Sequence, residues 1–294
     1  MYKIIEKSKI WFCLSLTIII IGIGFLSVKG LNFGIDFKGG TEVSIQLNED
    51  IDKADVDSIV KDIDSEAVTT ISDKYEYDIK ATDFDSDKVN SVMVALEDKY
   101  SLDKTALISQ NEIGASIGKE LTQNSLLALL AAFIVMLIYI AIRFEFRFGI
   151  AAIVATFHDI LITVSFYAIF NIPVNTAFIA AILTIIGYSM NDTIVIFDRI
   201  RENNKIMRRS DINEIANTSL TETMARSINT SVSTLVTIIA INVLVPTVRE
   251  FTLPLMIGII TGAYSSIFIA SPVWVILKTK IKGKKNRKNK LKKA

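Results

Sequence analysis

Six blocks of about 20 mostly apolar residues, at about 9–29, 123–142, 148–170, 174–198, 224–246 and 251–277, fix the class of this chain before any motif is read. Each block can cross a hydrocarbon layer roughly 30 Å thick as a helix rising about 1.5 Å per residue. A backbone in lipid has no water to bond, so the helix is the form each block must take. With 51% hydrophobic residues and a mean hydropathy of +0.44, an ordinary soluble globule is excluded. The first block follows Lys3, Lys7 and Lys9, is too long for a secretory signal and has no small-residue cleavage site after it. It therefore reads as an uncleaved signal anchor. Cys13, the one cysteine, lies within it, which excludes an internal disulfide and a cysteine metal cluster.

The net charge of +1 hides an asymmetry that orients the chain. Residues 30–120 carry 21 Asp plus Glu against 9 Lys plus Arg. Lys3, Lys7, Lys9, Arg143, Arg147, the cluster Arg199, Arg201, Lys205, Arg208 and Arg209, and the tail after Lys278 all fall on one side of a six-span chain. The positive-inside rule then makes both termini cytoplasmic, with the acidic region outside. The expected divisions are 1–29 for the N-terminus and first span, 30–122 for an extracytoplasmic α+β domain, 123–277 for spans two to six with a cytoplasmic loop at about 199–223, and 278–294 for a basic tail. Topology anchoring explains the tail, with binding to anionic membrane lipid or to ribosomal RNA as lesser options, and no specific nucleic-acid partner is expected.

Within the acidic region, the alternation in Glu42–Leu47 predicts a strand, and helical spacing over 52–61 predicts a helix capped by Asp52. Further strands are expected at about 67–72, 76–82 and 91–96, and a helix over 103–118, giving a small sheet with helices on one face. Gly39-Gly40 reads as a turn needing positive φ. No phosphate-binding glycine loop, zinc-binding helix motif or nucleophile elbow appears, so nucleotide hydrolysis and enzymatic catalysis are not expected.

The chemistry lies in the fourth block. Asp192 puts a carboxylate in an apolar span, at a cost of roughly 2.5–3.5 kcal/mol, so it should face a partner or a water-filled path. Thr184, Gly187, Tyr188 and Asn191 share its helix face, with Thr193 beside it, and that face is expected to point inward. Arg226 in the next span lies at a similar depth and is the expected ion-pair partner. His158-Asp159 forms a third polar site, with Thr156 and Thr163 on the Asp face, for which a structural and an ion-path role are both open. Gly258, Gly262 and Ser266 form a small-residue series that predicts close helix packing.

These segments together carry a resemblance. Gly34-Ile35-Asp36-Phe37-Lys38-Gly39-Gly40, Phe157-His158-Asp159-Ile160, the run Gly187–Glu202 with Asn191, Asp192 and Thr193, and Thr223–Ser231 around Arg226 resemble the SecF family, the smaller subunits of bacterial SecDF protein-export complexes, over essentially the whole chain. The resemblance implies half of a twelve-span membrane domain related to resistance-nodulation-division exporters, with a ferredoxin-like outer domain and a SecD-like partner supplying the other half. It also implies ion-motive promotion of preprotein passage through the SecYEG channel, with H+ or Na+ as coupling ion and no other cofactor. Asp192 and Arg226 match the family's ion-conduction residues. A small-molecule or lipid exporter of the same superfamily, or a non-conducting translocon scaffold in which Asp192 and Arg226 only fix helix register, remain as alternatives.

Overall fold

The computed structural model describes residues 2–47, 51–73, 75–101 and 106–279, so the basic tail from residue 280 onward lies outside the described residues. Among the described residues, six helices are long and apolar enough to span a membrane. They are α1 (Ser8–Lys29), α5 (Ala115–Arg143), α6 (Phe146–Phe170), α7 (Thr176–Ile206), α8 (Ile212–Leu244) and α9 (Arg249–Ser265). A π-helical stretch, Ser266–Ala270, follows α9, and the helix then runs on to Thr279. Between α1 and α5 lie a short α2 (Ile35–Lys38), β1 (Gly40–Gln46), α3 (Lys53–Ile63), β2 (Val68–Asp73), β3 (Glu76–Ala81), α4 (Ser86–Tyr100) and β4 (Leu107–Ile113).

The strands form one antiparallel sheet in the order β2-β3-β1-β4. With the element order β-α-β-β-α-β, this is the ferredoxin-like arrangement. Val43 and Ile45 of β1 and Tyr77 and Ile79 of β3 pack against Val56 and Val60 of α3 and Val89, Val92 and Leu96 of α4. Asp52 caps α3, its side chain accepting from the Ala54 N–H at 3.2 Å, as expected. Asp85 caps α4 by accepting from the Lys88 N–H at 2.9 Å.

Three expectations give way. Residues 91–96 are helix, not strand: Val89, Val92, Met93 and Leu96 are buried at helical spacing, a pattern longer than the brief alternation inside it. Of 103–118, the described part forms β4 up to Ile113, because pairing with β1, Gly40 opposite Ile113, outweighs local helical preference. Helix resumes only at Ala115. Residues 199–223, expected as a loop, are helical apart from the turn between Ile206 and Ile212. Polar helix ends keep their backbone bonds beyond the apolar zone, here with Arg199 bonded to Glu222 at 2.6 Å across α7 and α8.

Leu96 is completely buried at the centre of the sheet domain. Truncation to Ala is expected to cost about 2–5 kcal/mol. The cost would be read in the full chain as faster amide exchange in β1 and β3.

Candidate ion-coupling site in the membrane core

The membrane helices bury two carboxylates in different settings. Asp159 on α6 is fully enclosed. Its Oδ2 accepts from Ser189 Oγ of α7 at 2.6 Å and Ser265 Oγ of α9 at 2.8 Å, while Oδ1 lies 3.0 Å from His158 Nδ1. The other ring nitrogen, Nε2, is 2.8 Å from Ser15 Oγ of α1, and Ser15 reaches Tyr264 of α9 at 3.3 Å. This network ties α1, α6, α7 and α9 together and leaves neither Asp159 oxygen without a partner. Thr163 lies on the same face, donating to the Asp159 backbone carbonyl at 2.8 Å, and Thr156 is buried beside it.

Close helix contact holds the hub. A Cβ on Gly258 would sit 2.2 Å from Ile185, and one on Gly262 would sit 3.0 Å from Ser189. The small-residue series of α9 therefore packs directly on α7, as its spacing predicts. Thr193 Oγ1 lies 2.8 Å from Ser266 Oγ at the start of the π-helical stretch, a distortion frequent at functional sites.

Asp192 is placed differently. Its Oδ1 accepts from Ser227 Oγ of α8 at 2.7 Å, and its Oδ2 is buried with no hydrogen-bond partner among the described residues. The expected pair with Arg226 is not formed: among the described residues no ion pair joins them, and Arg226 is exposed on α8. Helix geometry is the reason, since neighbouring residues point to different sides and Ser227 is the one turned onto Asp192, leaving Arg226 at an exposed position of α8. The polar face of α7 also departs from expectation. Thr184, Gly187 and Asn191 are exposed, Thr184 bonds only its own helix at the Ala180 carbonyl, and among the described residues Tyr188 alone of the four reaches α8, donating to Thr234 Oγ1 at 3.2 Å. Asp192 thus sits just behind an open polar stripe made of Asn191, Arg226 and Thr230.

The motif after α1 joins the sheet domain to the same helices. Gly34 N–H donates to the Val174 carbonyl at 2.8 Å, and Phe37 stacks edge-on with Phe33. Asp36 Oδ2 accepts from Thr176 N–H at 2.8 Å and Thr176 Oγ1 at 2.6 Å, capping the start of α7. Gly39 and Gly40 have φ of +84° and +147°, the turn the sequence predicts.

Sequence reasoning missed Ser15, Ser189, Ser227 and Ser265, and also Glu250 at the head of α9. Serines in membrane helices usually bond their own backbone four residues back, so their presence alone does not mark a site. Glu250 bonds Lys80 of β3 at 3.1 Å and accepts from Asn175 Nδ2 at 2.5 Å, while Lys80 also meets Glu42 at 3.2 Å. Burial works against the Lys80 charge, but Glu250 and Glu42 outweigh it and raise its pKa above the ordinary lysine value. The sign follows directly: this stabilisation is complete below the ordinary lysine value and is lost only as pH rises through the folded pKa, so Lys80 is a cation throughout the physiological range.

Comparison with known proteins agrees with this architecture. The family described as protein export membrane protein SecD/SecF, C-terminal, matches residues 93–280, and the SecD/SecF GG motif matches residues 24–51. The protein translocase subunit SecF of Sebaldella termitidis is 36% identical over 98% of this chain and 95% of its own length. Bacillus subtilis SecDF is 35% identical over 93% of this chain, which spans only 38% of that longer protein. The crystal structure of Thermus thermophilus SecDF, a translocon-associated membrane protein, superposes with a TM-score of 0.80 at 30% identity, covering 95% of this chain and 39% of that one. The chain belongs to the SecD/SecF family of protein-export membrane proteins, multi-pass transport proteins rather than enzymes.

Proposed function

We propose that the chain is the SecF-type half of a SecDF export unit that uses ion flow to promote preprotein passage at the outer face of the SecYEG channel. The single observation that carries this is Asp192: a buried carboxylate with one oxygen bonded to Ser227 and the other without a hydrogen-bond partner among the described residues, directly behind an open polar stripe. A carboxylate so placed can take up an ion from a water-filled path at the junction with a SecD-like half. The fused Bacillus subtilis SecDF, of which this chain matches just over a third, supports such a partner. Charge distribution along the chain supports both termini on the cytoplasmic side and the acidic sheet domain outside.

In this mechanism Asp192 alternates between an anion paired with Arg226 and a neutralised acid held by Ser227. The Ser227 hydrogen bond to Asp192, with no Arg226 ion pair among the described residues, supports the existence of an arrangement in which the two are unpaired. Asn191 and Thr193 flank the carboxylate. His158 and Asp159 belong to the same path as the group that keeps α7 in register through Ser189, three residues before Asp192. Carboxylate, serine and asparagine oxygens suit either H+ or Na+.

A scaffold whose buried charges only fix register is the competing view, and the fully bonded Asp159 is the observation that favours it. Sealed inverted vesicles carrying the translocon and the SecD-like partner separate the two. The charge-neutral double variant Asp192→Asn with Arg226→Gln is expected to assemble but lose gradient-stimulated export. Stimulation equal to wild type would overturn the conducting role. Imposing pH and sodium gradients separately identifies the ion.

A further inference from the structure

The sheet domain meets the membrane helices at a polar junction, beside its covalent tethers to α1 and α5, the pairing of Phe33 with Val174 and a contact of β2 with the turn Pro246–Val248. Glu250 is its centre, bridging Lys80 of β3 and Asn175, while Asn175 Oδ1 caps α7 by accepting from the Phe178 N–H at 2.9 Å. Asp36 adds its own cap on Thr176. The two helices held at this junction are those joined deeper down by Ser189–Asp159–Ser265 and Thr193–Ser266, and packed glycine against side chain at Gly258 and Gly262. Movement of α7 at Asp192 is therefore shared by α9 and delivered to both ends of the junction.

A permanent dock would be dry and apolar. Here Lys29, Asn32, Asp36, Lys80, Asn175 and Glu250 line a cavity of about 470 Å³ between the sheet domain and the helix ends. Contacts held by charges and hydrogen bonds beside water are cheap to break and remake, because water replaces each lost partner.

We propose that Lys80, Glu250 and Asn175 form a releasable latch, positioning residues through which displacement of α7 and α9 frees and recaptures the sheet domain during each export cycle. The latch rests on the ion-coupling role proposed above. Its test fixes it shut. In a Cys13→Ser background, with a cysteine-free partner subunit, Lys80→Cys and Glu250→Cys are joined by a short, reducible bis-methanethiosulfonate tether in the sealed vesicles. Tethering is expected to lower the gradient-stimulated increment in export by about fivefold or more, a typical coupling factor, with recovery on reduction. A merely structural dock would not respond, and an unchanged increment in the tethered protein overturns the latch. If the Cys13→Ser protein with Lys80 and Glu250 intact shows no gradient response, the ion-coupling role fails instead. The latch is then judged on tethering yield alone, compared with and without Asp192→Asn: a changed yield supports it, and equal yields overturn it.

Discussion

Asp192→Asn should leave a chain that assembles with its partner but no longer converts an ion gradient into export. The substitution keeps size and the Ser227 hydrogen bond while removing the group that gains and loses charge. One charge crossing the full membrane potential releases about 2.3 kcal/mol per 100 mV, a factor of roughly 50, so the gradient-stimulated increment is expected to fall on the order of tenfold or more. Export into sealed inverted vesicles, with and without an imposed gradient, reads this directly. Equal stimulation of wild type and variant would make Asp192 a structural residue. Ser227→Ala offers a graded comparison, because it leaves the carboxylate chargeable but removes its one bonded partner.

Gly40→Ala is expected to be the most damaging single-methyl change in the sheet domain. At φ +147° an L side chain is strained, and a Cβ there would sit 2.4 Å from the Ala81 carbonyl oxygen and 2.7 Å from Ile35 Cγ2. Backbone strain of roughly 1–3 kcal/mol and overpacking of similar size add to roughly 2–6 kcal/mol. The affected contact is the register of β1 against β3, on which Lys80 depends. Faster hydrogen exchange and protease cleavage across β1–β4 in the full chain are the measures. Gly24→Ala in α1 is the control, since nothing lies within 4 Å of its added carbon. If the two variants behave alike, the turn is not a constraint.

Much of this molecule is legible in one dimension. Continuous apolar length forces six helices because lipid offers no other partner for the backbone. Paired glycines mark the turn at 39–40, and Asp52 marks the start of α3 because a cap acts within three residues. Local rules failed where long-range pairing decides. β4 is a strand because β1 offers it an edge, and 91–96 is helical because Val89 and Leu96 extend its buried face toward the sheet. The site divides the same way. A carboxylate in an apolar span stands out by its cost alone, so Asp192 and Asp159 are found from sequence. Their partners are not, because helical periodicity fixes which residues share a face but not which neighbour that face meets. Only packing determined that Ser227 rather than Arg226 bonds Asp192, that the stripe through Asn191 stays open, and that Glu250 closes on Lys80. A hydrogen bond depends on the rotation and separation of two elements within a few tenths of an ångström, quantities set by the whole packed assembly of helices.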